Sequence, residues 1–308
     1  MAAEGIVHTV IPPVSVVIVN YNARHFLADC VRAALPQVSE VIVVDNASTD
    51  LSLDRCLRHF PEEPKLKLIR NNTNLGFAAA CNIGVKHAKE DHIFFLNPDC
   101  SLDASAVSEL MRVLKSDDTA GMVGGLLINA DGSEQGGGRR AVPTPWRSFV
   151  RAFGLSHFAN RWPKLFFDFY LHKQSLPVEP IEVEAISGAC MLVKREAVED
   201  VGALDEEYFL HCEDLDWCMR FRQKDWKILF VPSARISHIQ GVCSRNRPIF
   251  VEWYKHKGMV RFYGKFFKHQ YPGVLMWLVT MGVWLRFGLV VSCCIARRAG
   301  RAFGFGRE

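Results

Sequence analysis

A chain of 308 residues with 49% apolar residues can bury a large core, which excludes general disorder. The formal net charge of +4 is too small to mark a nucleic-acid binder, and the basic residues near the C-terminus matter more than the total. Ten cysteines without a CxxC pair read as reduced thiols of a cytosolic domain and argue against a structural zinc site.

Residues 1–13 read as an N-terminal extension. Glu4, His8 and two prolines leave no basic n-region and no apolar h-region, so no secretory signal is expected there. Val14 to Asn20 is a β-branched run without alternation, the pattern of a parallel strand covered on both faces. Helical spacing follows in Phe26, Leu27, Cys30, Val31 and Leu35. Val41 to Val44 is a second buried strand, closed by Asp45-Asn46-Ala47-Ser48-Thr49-Asp50, which joins loop chemistry to a helix cap. Leu66 to Arg70 reads as a strand, Gly76 to His87 as an alanine-rich helix, His92 to Leu96 as a strand and Asp103 to Lys115 as a helix. This alternation predicts a Rossmann-like, mostly parallel sheet flanked by helices, with ligand groups at the carboxyl ends of its strands.

After Gly121 the pattern breaks. Met122 to Asn129 is strand-like, and Gly136-Gly137-Gly138-Arg139-Arg140 opens a glycine-rich, then proline-rich and aromatic excursion to about residue 180. Strands resume at Glu182 to Ile186 and Gly188 to Val193, then Lys194 to Val201 and Asp214 to Gln223 read as helices. Ile228 to Val231 and Ala234 to His238 read as two strands, and Phe250 to Phe267 as a long helix. The last segment, Val274 to Ala296, carries Arg286 as its one charge and is long enough to span a bilayer. Basic residues on both flanks fit better with a monotopic segment on an anionic inner leaflet, a single span and a buried core helix remaining as alternatives.

Four successive strand ends carry amides or carboxylates: Asn20-Tyr21-Asn22, Asp45-Asn46, Asn72-Thr73-Asn74 and Asn97-Pro98-Asp99. Each alone is ordinary turn chemistry. Together they make a polar rim suited to a nucleobase and a ribose, with Asp45 able to accept from a pyrimidine N–H. Neither GxGxxG nor GxxxxGK[ST] occurs, so dinucleotide and P-loop readings are weak. In their place Asn74-Leu75-Gly76-Phe77 leads a small-residue helix whose N-terminus favours an anion, unless the alanines serve close packing on the sheet. Asp99 is placed to hold a divalent metal or to cap the next helix, and His238 is a second ligand or a core histidine. Glu213, Asp214 and Asp216 crowd three carboxylates beside Trp217, which is costly unless a cation or a proton transfer needs them.

These residues in this order resemble glycosyltransferase family 2, with the GT-A fold. The matching stretches are Val16-Val17-Ile18-Val19-Asn20-Tyr21-Asn22, Val43-Val44-Asp45-Asn46-Ala47-Ser48-Thr49-Asp50, Asn74-Leu75-Gly76-Phe77 with Asn82, Asn97-Pro98-Asp99, Ser187-Gly188-Ala189-Cys190-Met191 and Glu213-Asp214-Leu215-Asp216-Trp217. Within the family the pattern looks most like bacterial rhamnosyltransferases that act on polyprenyl-linked or cell-surface glycans. The resemblance implies a catalytic domain over residues 14–248, with a nucleotide-sugar half at 14–115 and an acceptor half at 116–248. A C-terminal region at 249–308 then carries the membrane-associating segment 274–296, at the cytoplasmic face of the plasma membrane. It implies that Asn20, Asn22, Asp45, Asn74, Gly76, Asn82, Asn97 and Asp99 line the nucleotide-sugar site. Asp99, at the last aspartate of the DXD motif, would hold Mg²⁺ or Mn²⁺ with His238. Asn97 replaces the first aspartate of that motif, a departure that weakens the metal site. Asp214 stands at the catalytic base of an inverting transfer, with Glu213 positioning it or capping the helix. Gly188 and Arg245 are weaker candidates for the acceptor side, and Trp217 either stacks on a sugar there or, as the favoured reading, packs its helix. Arg139, Arg140, Arg245 and Arg247 are candidates for charge on the diphosphate. The expected partners are a nucleotide-sugar donor, with dTDP-β-L-rhamnose ahead of a UDP-sugar, a polyprenyl-linked or polysaccharide acceptor and the inner leaflet, but no nucleic acid. A non-catalytic sugar-nucleotide-binding membrane protein is the alternative of a different class.

Overall fold

The computed structural model describes residues 11–241 and 247–302, so residues 1–10 of the N-terminal extension and Arg245 lie outside the described residues. Strands and helices alternate through the first half: β1 (Val14–Asn20), α1 (Phe26–Ala34), β2 (Glu40–Asp45), α2 (Ser52–His59), β3 (Leu66–Arg70), α3 (Phe77–His87) and β4 (His92–Leu96). The strands pair in parallel in the order β3-β2-β1-β4. The register sets Asn20 opposite Asp45, and so brings two of the predicted rim residues side by side at the carboxyl ends.

The second half is mixed. β5 (Cys100–Leu102) and α4 (Ala106–Ser116) lead to β6 (Ala120–Ile128), and β7 (Arg139–Arg140) opens the excursion that carries α5 (Pro145–Ala152). β8 (Ile181–Glu182), β9 (Ala185–Ile186), β10 (Cys190–Lys194), α6 (Arg195–Val201), α7 (Glu213–Gln223) and β11 (Lys227–His238) follow. β10 runs antiparallel between β4 and β6, β6 pairs in parallel with β11, and β5 closes that edge antiparallel to β11. The segments expected as separate strands at 228–231 and 234–238 are one strand, bent where the register shifts between Val231 and Arg235. Pro232 lies at that shift, where its missing N–H costs no ladder bond.

The sheet is buried on both faces, and β1 shows why its sequence lacks alternation. Val16 and Ile18 join one core cluster with Leu27, Val31 and the apolar face of α4. Val17 and Val19 join the other, with Ala78, Ala80, Trp217, Phe221 and Phe262. The small residues of α3 serve this second face: a Cβ on Gly84 would stand 2.3 Å from Val17 Cγ1, so the helix lies directly on the strand.

α8 (Pro248–Phe266) packs against α7 and against α9 (Gly273–Ala302), where Trp253 meets Trp284 at 5.1 Å between ring centres. Within α9, Gly273–Ala296 has a mean hydropathy of 1.9 and is long and apolar enough to cross a membrane. The alternative of a buried core helix does not hold, because Val274, Trp277, Leu285 and Leu289 stand 62–73% exposed.

Candidate active site

At the end of β1, Asn20 is fully buried and donates from Nδ2 to Asp45 Oδ1 at 2.7 Å, and to the hydroxyls of Ser48 and Ser52. Asp45 Oδ2 accepts from the Ser48 amide at 3.1 Å. Each oxygen of Asp45 keeps a further lone pair for a ligand N–H. Asn20 therefore does not line the donor site as expected: it orients Asp45 from beneath. Asn22, left-handed at φ 55, accepts from the amides of Thr49 and Asp50 and shapes the same loop. Asn46, the other half of the strand-end pair Asp45-Asn46, is a hub of this rim. Its Nδ2 reaches Asn74 Oδ1 and the Gly76 carbonyl, while its Oδ1 accepts from Asn71 and from the Leu75 amide.

Two expectations about α3 are corrected. Its first amide, from Phe77, donates to the Phe209 carbonyl at 2.8 Å, and a Cβ on Gly76 would stand 2.7 Å from that same oxygen. Gly76 at φ 89 is thus there for a left-handed turn against Phe209 rather than for the approach of a phosphate. Asn82 is buried and turned to its own chain: it brackets Leu204 through both backbone groups and donates to Glu206 Oε1 at 2.9 Å. It braces the loop before the carboxylate cluster, with no free group for a donor.

At the end of β4 the structure gathers Asp99, Cys100 and His238, whose ligand atoms lie within 4.8 Å of one another. His238 Nε2 stands 3.2 Å from Asp99 Oδ1, and Nδ1 meets Gln135 Oε1 at 2.6 Å. Gln135 also donates to the His238 carbonyl, so a residue the sequence reading missed fixes the imidazole as an outer-shell partner does. This oxygen and nitrogen donor set fits a divalent cation. Burial pushes the Cys100 thiol well above its ordinary range.

Across from this cluster, α7 presents Glu213 and Asp214. Gly188 donates its amide to Asp214 Oδ2 at 3.1 Å, and Arg140 forms an ion pair with the same oxygen. The next residue, Ala189, accepts the Asn97 amide through its carbonyl at 3.0 Å. The two-residue segment Gly188–Ala189 therefore stands between the aspartate of α7 and the Asn97–Asp99 turn. Glu213 is buried and its Oε2 has no partner, and burial followed by the charge of Asp214 pushes its carboxyl up to about 8. The turn before α7 is strained: His211 and Cys212 are both left-handed, at φ 67 and 71. α8 clamps it through Gly258, where a Cβ would stand 3.0 Å from the His211 carbonyl and 3.2 Å from Cys212 Cβ.

The remaining candidates divide. Trp217 is fully buried, donates Nε1–H to the Gly202 carbonyl and packs edge-on to Phe95 and Phe221, so it cannot meet a sugar. Asp216 is a buried tie to Arg220 at 2.8 Å and to Lys265 of α8 at 2.6 Å. Arg139 is buried against Glu134 and the carbonyls of Gln174 and Ser175, which removes it from the arginines available to a diphosphate. Among the described candidates, Arg140 is the arginine beside Asp214, and Arg247 is exposed at the start of α8.

A family model described as Glycosyl transferase family 2 matches residues 15–202. The chain is 27% identical over 301 residues, 93% of its length and 95% of the relative's, to an N-acetylglucosaminyl-diphospho-decaprenol L-rhamnosyltransferase of Mycobacterium tuberculosis. It is 23% identical over 230 residues, 71% of this chain and 65% of the relative, to the low-salt glycan biosynthesis hexosyltransferase Agl10 of Haloferax volcanii. Among solved structures, the mannosyltransferase PcManGT from Pyrobaculum calidifontis, in complex with GDP-Man and Mn2+, is similar at a TM-score of 0.56 and 16% identity, over 97% of this chain and 77% of that one. GalNAc-T7 with UDP, GalNAc and Mn2+ gives a TM-score of 0.56 at 20% identity, over 75% of this chain but only 44% of that one. At these identities the likeness is one of fold, the GT-A arrangement of a mixed sheet between helices. The fold and the matched span agree: the chain belongs to glycosyl transferase family 2.

Proposed function

We propose that this protein transfers L-rhamnose from dTDP-β-L-rhamnose, with inversion, to a hydroxyl of a polyprenyl-linked acceptor at the cytoplasmic face of the plasma membrane. The observation that carries the reading is the placement of Asp214 and the Asp99–His238 pair on either side of Gly188–Ala189. The similarity to a decaprenol-linked rhamnosyltransferase over 93% of this chain supports the sugar and the acceptor class.

In this mechanism Asp45 accepts an N–H of the nucleobase from the bottom of the rim. Asp214 takes the proton of the acceptor hydroxyl as that oxygen attacks the anomeric carbon, on the face opposite the departing diphosphate. The Gly188 amide holds the Asp214 carboxyl in place, and Arg140 sets a guanidinium beside it that is within reach of developing negative charge. A divalent cation on Asp99 and His238, Mg²⁺ or Mn²⁺, would supply positive charge to the diphosphate. Two solved neighbours contain Mn2+ with a nucleotide or nucleotide sugar, which supports that assignment. Asn97 contributes an amide where a second carboxylate would strengthen the site.

The test is turnover of dTDP-β-L-rhamnose with a polyprenyl-diphosphate-linked N-acetylglucosamine acceptor. Asp214→Asn is expected to lower turnover by roughly 10²–10⁴ while donor binding is retained. Full activity in that variant overturns the base. A panel of dTDP-, UDP- and GDP-sugars read by thermal shift identifies the donor, since a binder stabilises the fold in proportion to ln(1 + [L]/Kd).

A further inference from the structure

The excursion between β7 and β8 turns its aromatic residues outward. Trp146, Phe149, Phe153, Phe158, Trp162 and Leu165 are 41–67% exposed. They form one surface: Trp146 stacks on Phe149 at 5.5 Å, Phe149 meets Phe153 at 4.5 Å, and Phe166 links Trp146 to Phe158 and Trp162. Trp146 Nε1–H donates to the Leu165 carbonyl at 2.6 Å, which fastens α5 to the following turn. Trp146, Phe149 and Phe153 share one helix face by their spacing. The charged face points the other way, with Arg147 paired to Glu184 and Arg151 to Asp168. A helix that pairs its charges inward and exposes its rings is the reverse of an ordinary surface helix.

We propose that this aromatic surface is a second membrane contact, seated in the headgroup region of an anionic bilayer. Charge supports that occupant: residues 145–166 contain no acidic residue, Arg147 and Arg151 are paired on the opposite face, and Arg161 and Lys164 are exposed at the rim beside Trp162. Tryptophan and phenylalanine edged by basic residues form the composition of an interfacial segment. Continuity supports it as well. Tyr263 of α8 donates its hydroxyl to Ser148 Oγ of α5 at 2.6 Å, and α8 carries α9 through Trp253 and Trp284. Pro145 is five residues beyond Arg140, a chain distance of at most about 18 Å, so the start of α5 lies within that distance of the arginine paired with Asp214. A lipid-linked acceptor held there would keep its tail in the bilayer and its sugar at the base. The proposal rests on the membrane reading made above for α9, and not on the donor.

The experiment uses the full chain on vesicles of phosphatidylcholine with and without phosphatidylglycerol, doped with a lipid bearing a photoactivatable group high on its acyl chain. Peptide mapping of the adducts is expected to find residues 145–166 as well as α9, with the former increased by phosphatidylglycerol. The variant Phe149→Ser with Phe153→Ser and Trp162→Ser, all exposed positions, is expected to lower adducts on 145–166 at least about fivefold while those on α9 persist. Adducts on α9 alone overturn the second contact and leave the anchor standing, whereas adducts on neither overturn both. A dimer in detergent that the triple variant abolishes would assign the surface to a second copy of the chain and overturn the proposal.

Discussion

Glu213 and Asp214 are neighbours in sequence with opposite surroundings. Asp214 has a backbone amide and a guanidinium on one oxygen, while Glu213 is buried with an oxygen that nothing meets. A carboxyl raised from its ordinary 4.5 to about 8 contributes stability that is complete below about 4.5 and lost as the pH rises through about 8. The thermal midpoint is therefore expected to fall across that window, and Glu213→Gln to flatten the fall. An unchanged slope in the variant would place the titration elsewhere. Side-chain identity made Asp214, Asp99 and His238 legible as candidates, because few roles suit a crowded carboxylate or a histidine at a strand end. It did not reveal which amides face a ligand. Asn20 and Asn82 carry the right chemistry, but their amide nitrogens are held by Asp45 and by Leu204, pairings across 25 and 122 residues that the sequence does not display, while Asn20 Oδ1 is buried without a partner. For Trp217 the two readings, sugar stacking and helix packing, are decided for packing by the apolar stripe it shares with Cys218 and Phe221 in the core.

For elements, unbroken apolar runs announced β1, β2 and β4 because strands covered on both faces have no reason to alternate. Short or bent pieces were harder to see. β5 has three residues and exists through its pairing with β11, and β11 itself passes through Pro232 with a shifted register that local pattern reads as a break. The alanine-rich α3 posed a choice between ligand approach and packing, and Gly84 on Val17 decides for packing along the helix body. Gly84→Ala forces a methyl into that contact at a cost of about 1–3 kcal/mol for overpacking. The gain in helix propensity is about 1 kcal/mol, so the expected net is a loss. Denaturant unfolding should show a lower midpoint at an unchanged slope, and a raised midpoint would mean that α3 lifts freely from β1.

At the scale of the whole molecule, α9 is the one apolar helix among the described residues long enough to cross a membrane. Ending the chain after Pro272 removes α9 with its exposed Trp277, Leu285 and Leu289. Such a protein is expected to partition less to vesicles and to lose activity on lipid-linked acceptors more than on soluble ones. Unchanged partitioning, measured by flotation, would refute α9 as an anchor. Length and composition made this segment legible, but its flanking charges did not settle its disposition, because the partner that would cover it is outside the chain. α8 is the element whose role sequence alone concealed: its glycine at 258 lets it lie against the left-handed pair His211–Cys212. That close approach joins the turn before Asp214 to α8, and α8 in turn meets α9 through Trp253 and Trp284. A change in the order of α8 is therefore felt in the turn that leads into Glu213 and Asp214, and by reciprocity whatever orders that turn steadies α8 by the same free energy.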